Sequence, residues 1–553
     1  MNDIDVLVVG AGTTGLTLAL QAHDHGALVR IVERRPEPFR ASRAMVMHPR
    51  TLELLRPLGV TDALLERGDT SPAARLHLRS RVVPVEIDRL DLPGTAFPHL
   101  LLIRQADVEA VLTAALAERG VGVDRGAELV RVARLRHGGA RAVLRHRNGE
   151  PDENVLCRYL VGCDGAASRV RTSVGGWLGG DYAQEVVLAD LEIGPPSSPA
   201  PPATLEPGVA HVVVGRRGLV FLFNIGERAT WRMLATRRAG ADRQPFGEPG
   251  PPVPVTELQR LLDESGLPAR IEHLAWSAQV RLQHRIASRF GRGPLFLAGD
   301  AAHVHSPAGA QGMNAGIHDA VNLGWKLGFA SVAARRSGAH LEARIERAPG
   351  QRRPQQPGSA LLESYAQERR PADLAVLRLT HLLYWAEASL HPLAQLGRAV
   401  LVPLAAPLVP WLLRRRRLTA AGVRTLAQFR LRYARSVLSV DVRASLTPVR
   451  GALARHGLRP GSRVADTLVR CEGRRVRAHE LMATPGVHIF LQADARQLPD
   501  RLRAPLVHVH RLDDRPGTGM LVVRPDGYAA VRAPVLDEYR LAAWLGLVGL
   551  VDG

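Results

Sequence analysis

Three glycines near the start of the chain have the spacing of a phosphate-binding loop. Gly10, Gly12 and Gly15 form a GxGxxG pattern between a short apolar run, Val6 to Val9, and residues at helical spacing. Gly10 would permit a tight turn, Gly12 would let the backbone approach a pyrophosphate, and Gly15 would let helix and strand pack closely. The helix N-terminus would add free N–H groups. The pattern predicts a site for a dinucleotide of unspecified type; a glycine-rich turn in another α/β protein is the alternative.

A carboxylate and several arginines follow this unit. A second apolar run, Leu28 to Val32, ends at Glu33, which is placed to accept hydrogen bonds from a ribose diol. Arg34 and Arg43 could each pair with a pyrophosphate or a carboxylate through two hydrogen bonds. For Arg43, a solvated loop residue is an equally good interpretation.

Two further carboxylates stand at the ends of predicted strands. Asp164 follows the apolar run 159–161, and Asp300 follows the apolar run 295–298. Carboxylates at the carboxyl edge of a sheet suit hydrogen bonds from a ribose or from backbone groups. For Asp164, an ordinary helix cap explains the pattern equally well. The loop 307–314 leaves backbone N–H groups free and leads into a long amphipathic helix.

The composition limits the other classes of function. With 553 residues the chain is long enough for about three or four domains. Its net charge of +20 comes from arginine, Lys326 being the only lysine, and could attract anionic cofactors. The arginines are scattered and no nucleic-acid module is recognisable, so nucleic-acid binding is not expected. The three cysteines form no CxxC pair and no metal-ligand spacing, and no secretory signal is visible. We therefore expect a cytoplasmic protein with no metal site.

Strand-like segments separated by Pro- and Gly-rich loops dominate the region from about 180 to 290. This pattern predicts a mostly antiparallel second lobe, with a substrate pocket in the cleft beside the cofactor unit. No residue there stands out as an acid, a base or a nucleophile, so the catalytic residues stay unassigned.

Together these motifs resemble the FAD-dependent aromatic hydroxylases, the single-component family similar to para-hydroxybenzoate hydroxylase. The GxGxxG, Asp164-Gly165 and Gly299-Asp300 motifs all match, as do Ser42-Arg43, Gln105 before a helix, and Glu368 to Pro371. The family loop usually reads Pro-x-Gly-Gly-x-Gly, whereas this chain has Ala310 at the second glycine. We expect this departure to affect the reaction rate and the coupling of the reaction with oxygen more than the identity of the bound cofactor.

The resemblance implies tightly bound, non-covalent FAD, with NAD(P)H (NADPH expected) as a transient co-substrate. A flavin C4a-hydroperoxide would then hydroxylate a phenolic or polyketide-type ring. A flavin reductase or dehydrogenase without oxygen insertion and a non-catalytic FAD-binding protein are the alternatives. The implied cofactor-binding residues are Gly10, Gly12, Thr14, Gly15, Glu33, Arg34, Arg43, Gln105, Asp164, Asp300, Pro307, Gly309, Gly312, Met313 and Asn314.

The expected architecture is α/β, with a Rossmann-like FAD-binding domain, a mostly antiparallel β substrate lobe, a helical linker and a thioredoxin-like C-terminal domain. The predicted boundaries are 1–180 (FAD domain, with an excursion into the substrate lobe near 75–103), 181–285 (substrate lobe), 286–370 (FAD domain, second part), 371–455 (helical linker) and 456–553 (thioredoxin-like domain).

Several features of the later chain bear on its partners. The C-terminal domain is expected to be structural or oligomeric, because Cys471 stands alone, and a homodimer is one possible assembly. Residues 332–360 are interpreted as a polar surface insertion. Residues 399–413 are apolar but too short to span a membrane. We expect a buried pair of interdomain helices there; contact with a membrane surface is the alternative.

Overall fold

The computed structural model describes residues 4–38, 45–78, 81–86, 91–136, 138–194, 205–206, 208–214, 219–224, 229–240, 250–267, 269–338, 358–389, 391–405, 407–441 and 458–551. Ser42, Arg43 and most of the predicted insertion at 332–360 lie outside these residues.

The strands are named in chain order. The first ten are β1 (Ile4–Val9), β2 (Val29–Glu33), β3 (Val46–Met47), β4 (Ala73–Leu78), β5 (Arg81–Glu86), β6 (Leu101–Leu102), β7 (Val123–Arg125), β8 (Ala127–Arg134), β9 (Ala140–His146) and β10 (Glu153–Gly162). The next eight are β11 (Trp177–Gly194), β12 (Val209–Val214), β13 (Leu219–Phe223), β14 (Trp231–Arg238), β15 (Arg270–Ala287), β16 (Gly291–Arg292), β17 (Leu295–Leu297) and β18 (His303–Val304). The last seven are β19 (Val440–Asp441), β20 (Leu468–Cys471), β21 (Arg474–Arg477), β22 (Val487–Gln492), β23 (Val507–Leu512), β24 (Met520–Val523) and β25 (Ala529–Ala533).

The helices are named in the same way. The first seven are α1 (Thr13–Asp24), α2 (Pro49–Leu55), α3 (Thr61–Arg67), α4 (Gln105–Glu118), α5 (Arg169–Val174), α6 (Val255–Ser265) and α7 (Gln311–Arg336). The others are α8 (Ser359–Ala388), α9 (Pro392–Ala405), α10 (Val409–Arg414), α11 (Arg416–Leu426), α12 (Ala478–Leu481) and α13 (Glu538–Leu547).

The first sheet carries the sequence motifs on a parallel core. Its central strands run in the order β17-β10-β1-β2-β7 and are all parallel, while β16, β9 and β8 add antiparallel pairs at its sides. Val6, Leu7 and Val8 of β1 are completely buried. This explains the unbroken apolar run, because a central parallel strand is covered on both faces. Helices α1 and α7 pack against each other beside this sheet.

The second sheet has eight strands in the order β18-β15-β11-β14-β13-β12-β4-β5. All neighbouring pairs are antiparallel except β12 and β4. The long strands β11 and β15 form its centre, and β18 joins it to the turn that follows β17. One face of the sheet packs on α6 through a cluster that contains Val187, Leu222 and Leu258.

A third, mixed sheet of seven strands is built from the end of the chain, in the order β19-β25-β24-β22-β23-β20-β21. The hydrophobic core of this sheet includes Val487, Ile489 and Trp544. Trp325 and Phe329 of α7 belong to the same core. The helix that follows the cofactor loop therefore also forms part of the C-terminal core. Overall, the chain has the mixed α/β fold with several sheets that the sequence predicted.

The apolar segment 399–413 differs from its prediction. It forms parts of α9 and α10, and several of its large apolar side chains, Leu401 and Leu404 among them, are exposed to solvent. The prediction of a buried pair of interdomain helices was therefore wrong for these side chains. In the described part of the chain, no helix is long and apolar enough to cross a membrane.

Candidate functional site

Three segments that lie far apart in sequence meet at one cavity of about 900 Å³. Gly12 comes from the loop after β1, Asp164 from the end of β10, and Asp300 from the turn after β17. These strands are neighbours in the parallel core, so their carboxyl ends lie at the same edge of the sheet. Ligands of open α/β sheets bind at this edge.

The glycine loop has the backbone geometry that its spacing predicts. Gly10 has φ +103°, a left-handed conformation that favours glycine, and a side chain there would collide with the carbonyl of Cys163. A side chain on Gly15 would collide with the carbonyl of Gly10, so this glycine allows α1 to pack close to β1. Gly12 faces the cavity and has room, since a Cβ there would lie 3.7 Å from the nearest atom, Glu109 Oε1.

Two carboxyl groups stand beside the glycine loop. Glu33 accepts hydrogen bonds from the backbone N–H groups of Ala11 (2.9 Å) and Arg35 (3.0 Å), which holds it at the end of β2. Glu109, on α4, accepts a hydrogen bond from Gln105 Nε2 (2.8 Å). Burial raises the pKa of Glu109 to about 7, although the hydrogen bond from Gln105 opposes the shift. The sequence analysis missed Glu109; its place one helical turn after Gln105 was the available signal.

Asp164 is both a helix cap and a residue of the cavity wall. Its Oδ2 accepts hydrogen bonds from the backbone N–H groups of Arg169 (2.8 Å) and Val170 (3.3 Å) at the start of α5. Its Oδ1 is buried and has no hydrogen-bond partner among the described residues. Burial raises the pKa of this carboxyl above its ordinary value. The free oxygen can accept a hydrogen bond from a hydroxyl group in the cavity.

The turn that carries Asp300 is held from two sides. Gly299 has φ +62°, and a Cβ there would lie 2.5 Å from Thr14 Oγ1 in the glycine loop. The Gly299 N–H donates to Asp319 Oδ2 on α7 over 3.0 Å. His303 Nε2 lies 2.7 Å from the same oxygen. The glycine loop, the turn and α7 therefore contact one another next to Asp300.

Asp319, which accepts the hydrogen bond from this turn, belongs to a buried cluster of charged side chains. Arg369 Nε donates to Asp319 Oδ1 (2.7 Å), and its Nη2 donates to Asp373 Oδ1 (2.6 Å). Burial alone would lower the pKa of His303, but Asp373 and Asp319 raise it to about 9. His303, Asp319 and Asp373 place possible metal-ligand atoms within 4.8 Å of one another. Because Arg369 pairs with both carboxylates and the raised pKa keeps His303 protonated at neutral pH, the cluster is better suited to fixing the turn than to holding a cation.

The loop before α7 contributes backbone and apolar groups. Pro307, Gly309, Gly312 and Met313 line the cavity. Ala310 is in the left-handed region, with φ 51° and ψ 42°, immediately before the first residue of α7. The N-terminus of this long helix provides N–H groups and partial positive charge at the cavity, which suits an anionic or electron-rich group of a ligand.

The far part of the cavity is apolar and is formed by the second sheet. The side chains that line it there include Val186, Leu188, Val212, Phe221, Leu234 and Val280. Gln283 and His305 are polar members of the cavity lining. Gln283 Oε1 and His305 Nε2 are buried and have no partner among the described residues. Burial lowers the pKa of His305 to about 3, which keeps its ring neutral. Both groups can form hydrogen bonds with oxygen substituents on an otherwise apolar ligand.

Comparison with known proteins identifies the family. Residues 3–356 match the sequence model of a FAD binding domain. An uncharacterised aromatic compound monooxygenase of Bacillus subtilis is 30% identical over 73% of this chain and 73% of its own length. The chain belongs to the FAD-dependent aromatic hydroxylase family. The family predicted from the sequence is thus confirmed, and with it FAD as the cofactor.

Two further relatives of this hydroxylase-family chain come from Streptomyces rimosus. A 6-methylpretetramide 4-monooxygenase is 36% identical to this chain. The match covers 58% of this chain and 55% of that relative's length. The solved structure of an anhydrotetracycline hydroxylase is 25% identical, covers 99% of each chain and has a TM-score of 0.72. The mixed α/β architecture is therefore that of a hydroxylase of known structure.

Twelve of the fifteen residues predicted to bind the cofactor of this family line the cavity: Gly10, Gly12, Thr14, Glu33, Arg34, Gln105, Asp164, Asp300, Pro307, Gly309, Gly312 and Met313. Gly15 does not, because it lies beneath the loop at the contact of α1 with β1. Arg43 lies outside the described residues. Asn314 is also absent from the cavity lining, so its contact with the cofactor stays a prediction; its side-chain amide is used within the protein. It accepts from the His48 N–H (2.9 Å) and Thr51 Oγ1 (2.7 Å), and it donates to two backbone carbonyls.

The site has the features that FAD requires. The glycine loop leaves room at Gly12, Glu33 stands beside this loop, and Asp300 faces the same cavity as the Asp164 oxygen that lacks a partner among the described residues. The apolar sheet face lines the same cavity. Arg34 and Arg35 line the cavity and add positive charge that suits a phosphate group.

Proposed function

We propose that the chain uses FAD, NAD(P)H and dioxygen to hydroxylate a polycyclic aromatic substrate of the polyketide type. One observation carries the proposal. The cavity that Gly12, Asp164 and Asp300 line extends without a break to an apolar face of the second sheet. Cofactor and substrate could therefore lie against each other in one enclosure. The relatives named for 6-methylpretetramide and anhydrotetracycline support a fused-ring substrate.

The protein's own residues would bind the cofactor, orient the substrate and exclude water. When bound, FAD supplies the reduction of dioxygen and the transfer of one oxygen atom. The N–H groups of the glycine loop and Arg34 would hold the phosphates, while Asp164 and Asp300 would accept hydrogen bonds from hydroxyl groups. The apolar face would keep water from the reacting ring, and Gln283 and His305 would fix its oxygen substituents. No acid–base group is needed beyond these, because the cofactor carries the difficult chemistry.

We propose the predicted organisation of the chain as well. The FAD-binding domain would comprise 1–180 and 286–370, the substrate lobe 181–285, the helical linker 371–455 and a thioredoxin-like domain 456–553. The parallel pair β22–β23 and the antiparallel pair β22–β24, with α13 on the sheet, support a thioredoxin-like arrangement. Cys471 is buried and has no cysteine nearby in sequence, which supports a structural role. A homodimer and a cytoplasmic location stay predictions of the sequence.

Activity assays of the purified protein test the function directly. We expect yellow protein whose oxidation of NADPH accelerates when a polycyclic phenol is added, with a product heavier by one oxygen atom. Oxidation that yields only hydrogen peroxide with every ring compound would instead indicate a reductase. Protein that binds FAD but does not oxidise NAD(P)H would indicate a non-catalytic role. A simple phenol preferred over fused rings would favour a degradative enzyme, like the relative named pentachlorophenol 4-monooxygenase.

A variant of the apolar face separates substrate binding from cofactor binding. Val212 lines the cavity from β12 of the second sheet. Val212→Trp should fill that space and abolish the stimulation by substrate, while the protein keeps its flavin absorbance. Val255→Trp is the matched control, because Val255 is exposed at the start of α6 on the other face of the sheet. Equal loss of stimulation in both variants would contradict the placement of the substrate.

A further inference from the structure

The helices between α8 and the C-terminal sheet expose an unusual amount of apolar surface. On α9, the exposed side chains are Leu393, Leu396, Val400, Leu401 and Leu404, and the exposed fractions of Leu393 and Leu404 are 65% and 68%. Their spacing places them on one side of the helix. Leu408, Trp411 and Leu412 continue the exposed apolar surface into α10. We call these eight residues the apolar helical face.

Positive charge adjoins this face along the chain, and the segment that carries the face has no acidic residue. Residues 388–440 contain nine arginines and no aspartate or glutamate. Four of the arginines are consecutive, from 414 to 417, directly after the face. Arg415 is exposed, and its guanidinium carbon lies 4.5 Å from the ring centroid of Trp411. Arg415 and the apolar residues therefore belong to one surface.

We propose that the apolar helical face, together with the exposed Arg415 and Arg417, binds the surface of a membrane that contains anionic phospholipids. A short helix with one apolar side and adjacent arginines lies in the plane of a bilayer interface, with its apolar side chains among the acyl chains. Basic residues beside it are attracted to anionic headgroups. Trp411 sits where the apolar and basic parts meet, the position that tryptophan favours at a bilayer interface.

A second copy of the chain fits this surface poorly. In a two-fold symmetric dimer, the same patch faces itself. The segment 388–440 would then place arginines opposite arginines, with no carboxylate of its own to neutralise them. A separate acidic protein would neutralise the charge, but the exposed residues are mostly leucine and valine, which are under-represented among the residues that dominate protein–protein affinity.

The position of the face also favours a membrane. Helix α11 begins with the arginines, exposes Leu418, and then contributes Val423 and Leu426 to the wall of the cavity. From Leu418 to Val423 the distance along the helix axis is about 8 Å. An apolar substrate dissolved in the bilayer would therefore leave it close to the cavity. The binding proposal does not depend on the proposed reaction, and its test measures adsorption alone.

Co-sedimentation with vesicles tests the proposal. We expect the full FAD-loaded chain to sediment with vesicles of phosphatidylglycerol and phosphatidylcholine, and at least tenfold less with phosphatidylcholine alone. Leu396→Glu combined with Leu404→Glu should reduce binding at least tenfold, because it places charges among the acyl chains. Arg415→Glu combined with Arg417→Glu should reduce binding by a similar factor and should also weaken its dependence on salt.

The control is Leu468→Glu, which changes an exposed leucine on β20 of the C-terminal sheet and should leave binding unchanged. Absence of binding to phosphatidylglycerol vesicles would overturn the proposal. A stable dimer that Leu396→Glu with Leu404→Glu converts to monomers would assign the face to a second copy, and would also overturn it. If Leu468→Glu reduced binding as much as Leu396→Glu with Leu404→Glu, the apolar helical face would not be the specific binding site, and the proposal would be overturned.

Discussion

Arg524 and Glu368 join the C-terminal sheet to α8 through two parallel hydrogen bonds. Arg524 Nη1 donates to Glu368 Oε1 over 2.6 Å, and Nη2 donates to Oε2 over 2.8 Å, with both side chains buried. Lys326 of α7 donates to the same carboxylate over 2.8 Å. Burial alone would raise the pKa of Glu368, but Arg524 and Lys326 hold it below its ordinary value. The C-terminal unit is thus attached by charges that are removed from water.

Removing the cation of this pair should destabilise the whole protein. We expect Arg524→Met to lower the free energy of unfolding by about 3–5 kcal/mol, because it leaves part of the negative charge on Glu368 and Asp526 unpaired and buried. Urea unfolding followed by fluorescence measures the change. Arg501→Met is the control, since Arg501 pairs with Glu538 at the surface, and it should cost less than about 1 kcal/mol. Equal costs for the two variants would contradict a buried ionic attachment.

Ala310 is predicted to be a strained residue. An alanine in the left-handed region costs about 1–2 kcal/mol, while glycine adds a smaller entropic cost in the unfolded chain. Ala310→Gly should therefore raise the free energy of unfolding by up to about 1 kcal/mol. It also restores the glycine usual in this family, so the ratio of hydroxylated product to peroxide should rise. A lower thermal midpoint for the glycine variant would show that the loop does not store this strain.

The control for this loop is an alanine with ordinary helical geometry. Ala334 lies in the last turns of α7 and is buried. Ala334→Gly should destabilise the protein by about 1 kcal/mol or more, because glycine has a lower helix propensity than alanine. The change also removes the packing of the buried methyl group. Opposite signs for the two alanine-to-glycine changes would isolate the backbone conformation as the cause.

Much of the site could be predicted because its motifs are local. The glycine loop, Asp164 and Asp300 each follow an apolar strand, and parallel strands bring their ends to one edge of a sheet. The roles of Asn314 and Glu368 depend on partners that are distant in sequence, such as His48 and Arg524, and no local pattern reveals them. The apolar run 399–413 was expected to be buried because apolarity usually indicates burial. Solvent exposure of such a run is visible only in the tertiary structure.

Glu109 should make cofactor binding depend on pH. Its pKa of about 7 lies above the ordinary 4.5, so its contribution to stability is complete below pH 4.5 and is lost as the pH rises through 7. Above pH 7 the ionised carboxylate would also repel a pyrophosphate at the neighbouring Gly12. We expect FAD to bind more tightly at pH 6 than at pH 8, by about tenfold.

Fluorescence titration of the apoprotein with FAD at the two pH values measures this dependence. Glu109→Gln should remove most of it, because the amide is neutral throughout, and should strengthen binding at pH 8. Glu118→Gln is the matched control, since Glu118 is exposed at the end of the same helix. An unchanged pH dependence in Glu109→Gln would show that another group repels the phosphates.

Asp300 should contribute to FAD affinity through its charge rather than its size. It lines the cavity on a turn fixed by Thr14 and Asp319, so Asp300→Asn should leave the turn in place while weakening its hydrogen bonds to cofactor hydroxyls. A charged hydrogen bond is worth about 1.5–3 kcal/mol, which predicts at least about tenfold weaker FAD binding. Asp500→Asn, at an exposed site in the C-terminal unit, should bind FAD like the unaltered chain. If Asp300→Asn retained full affinity and an unshifted flavin absorption spectrum, the turn after β17 would not contact the cofactor.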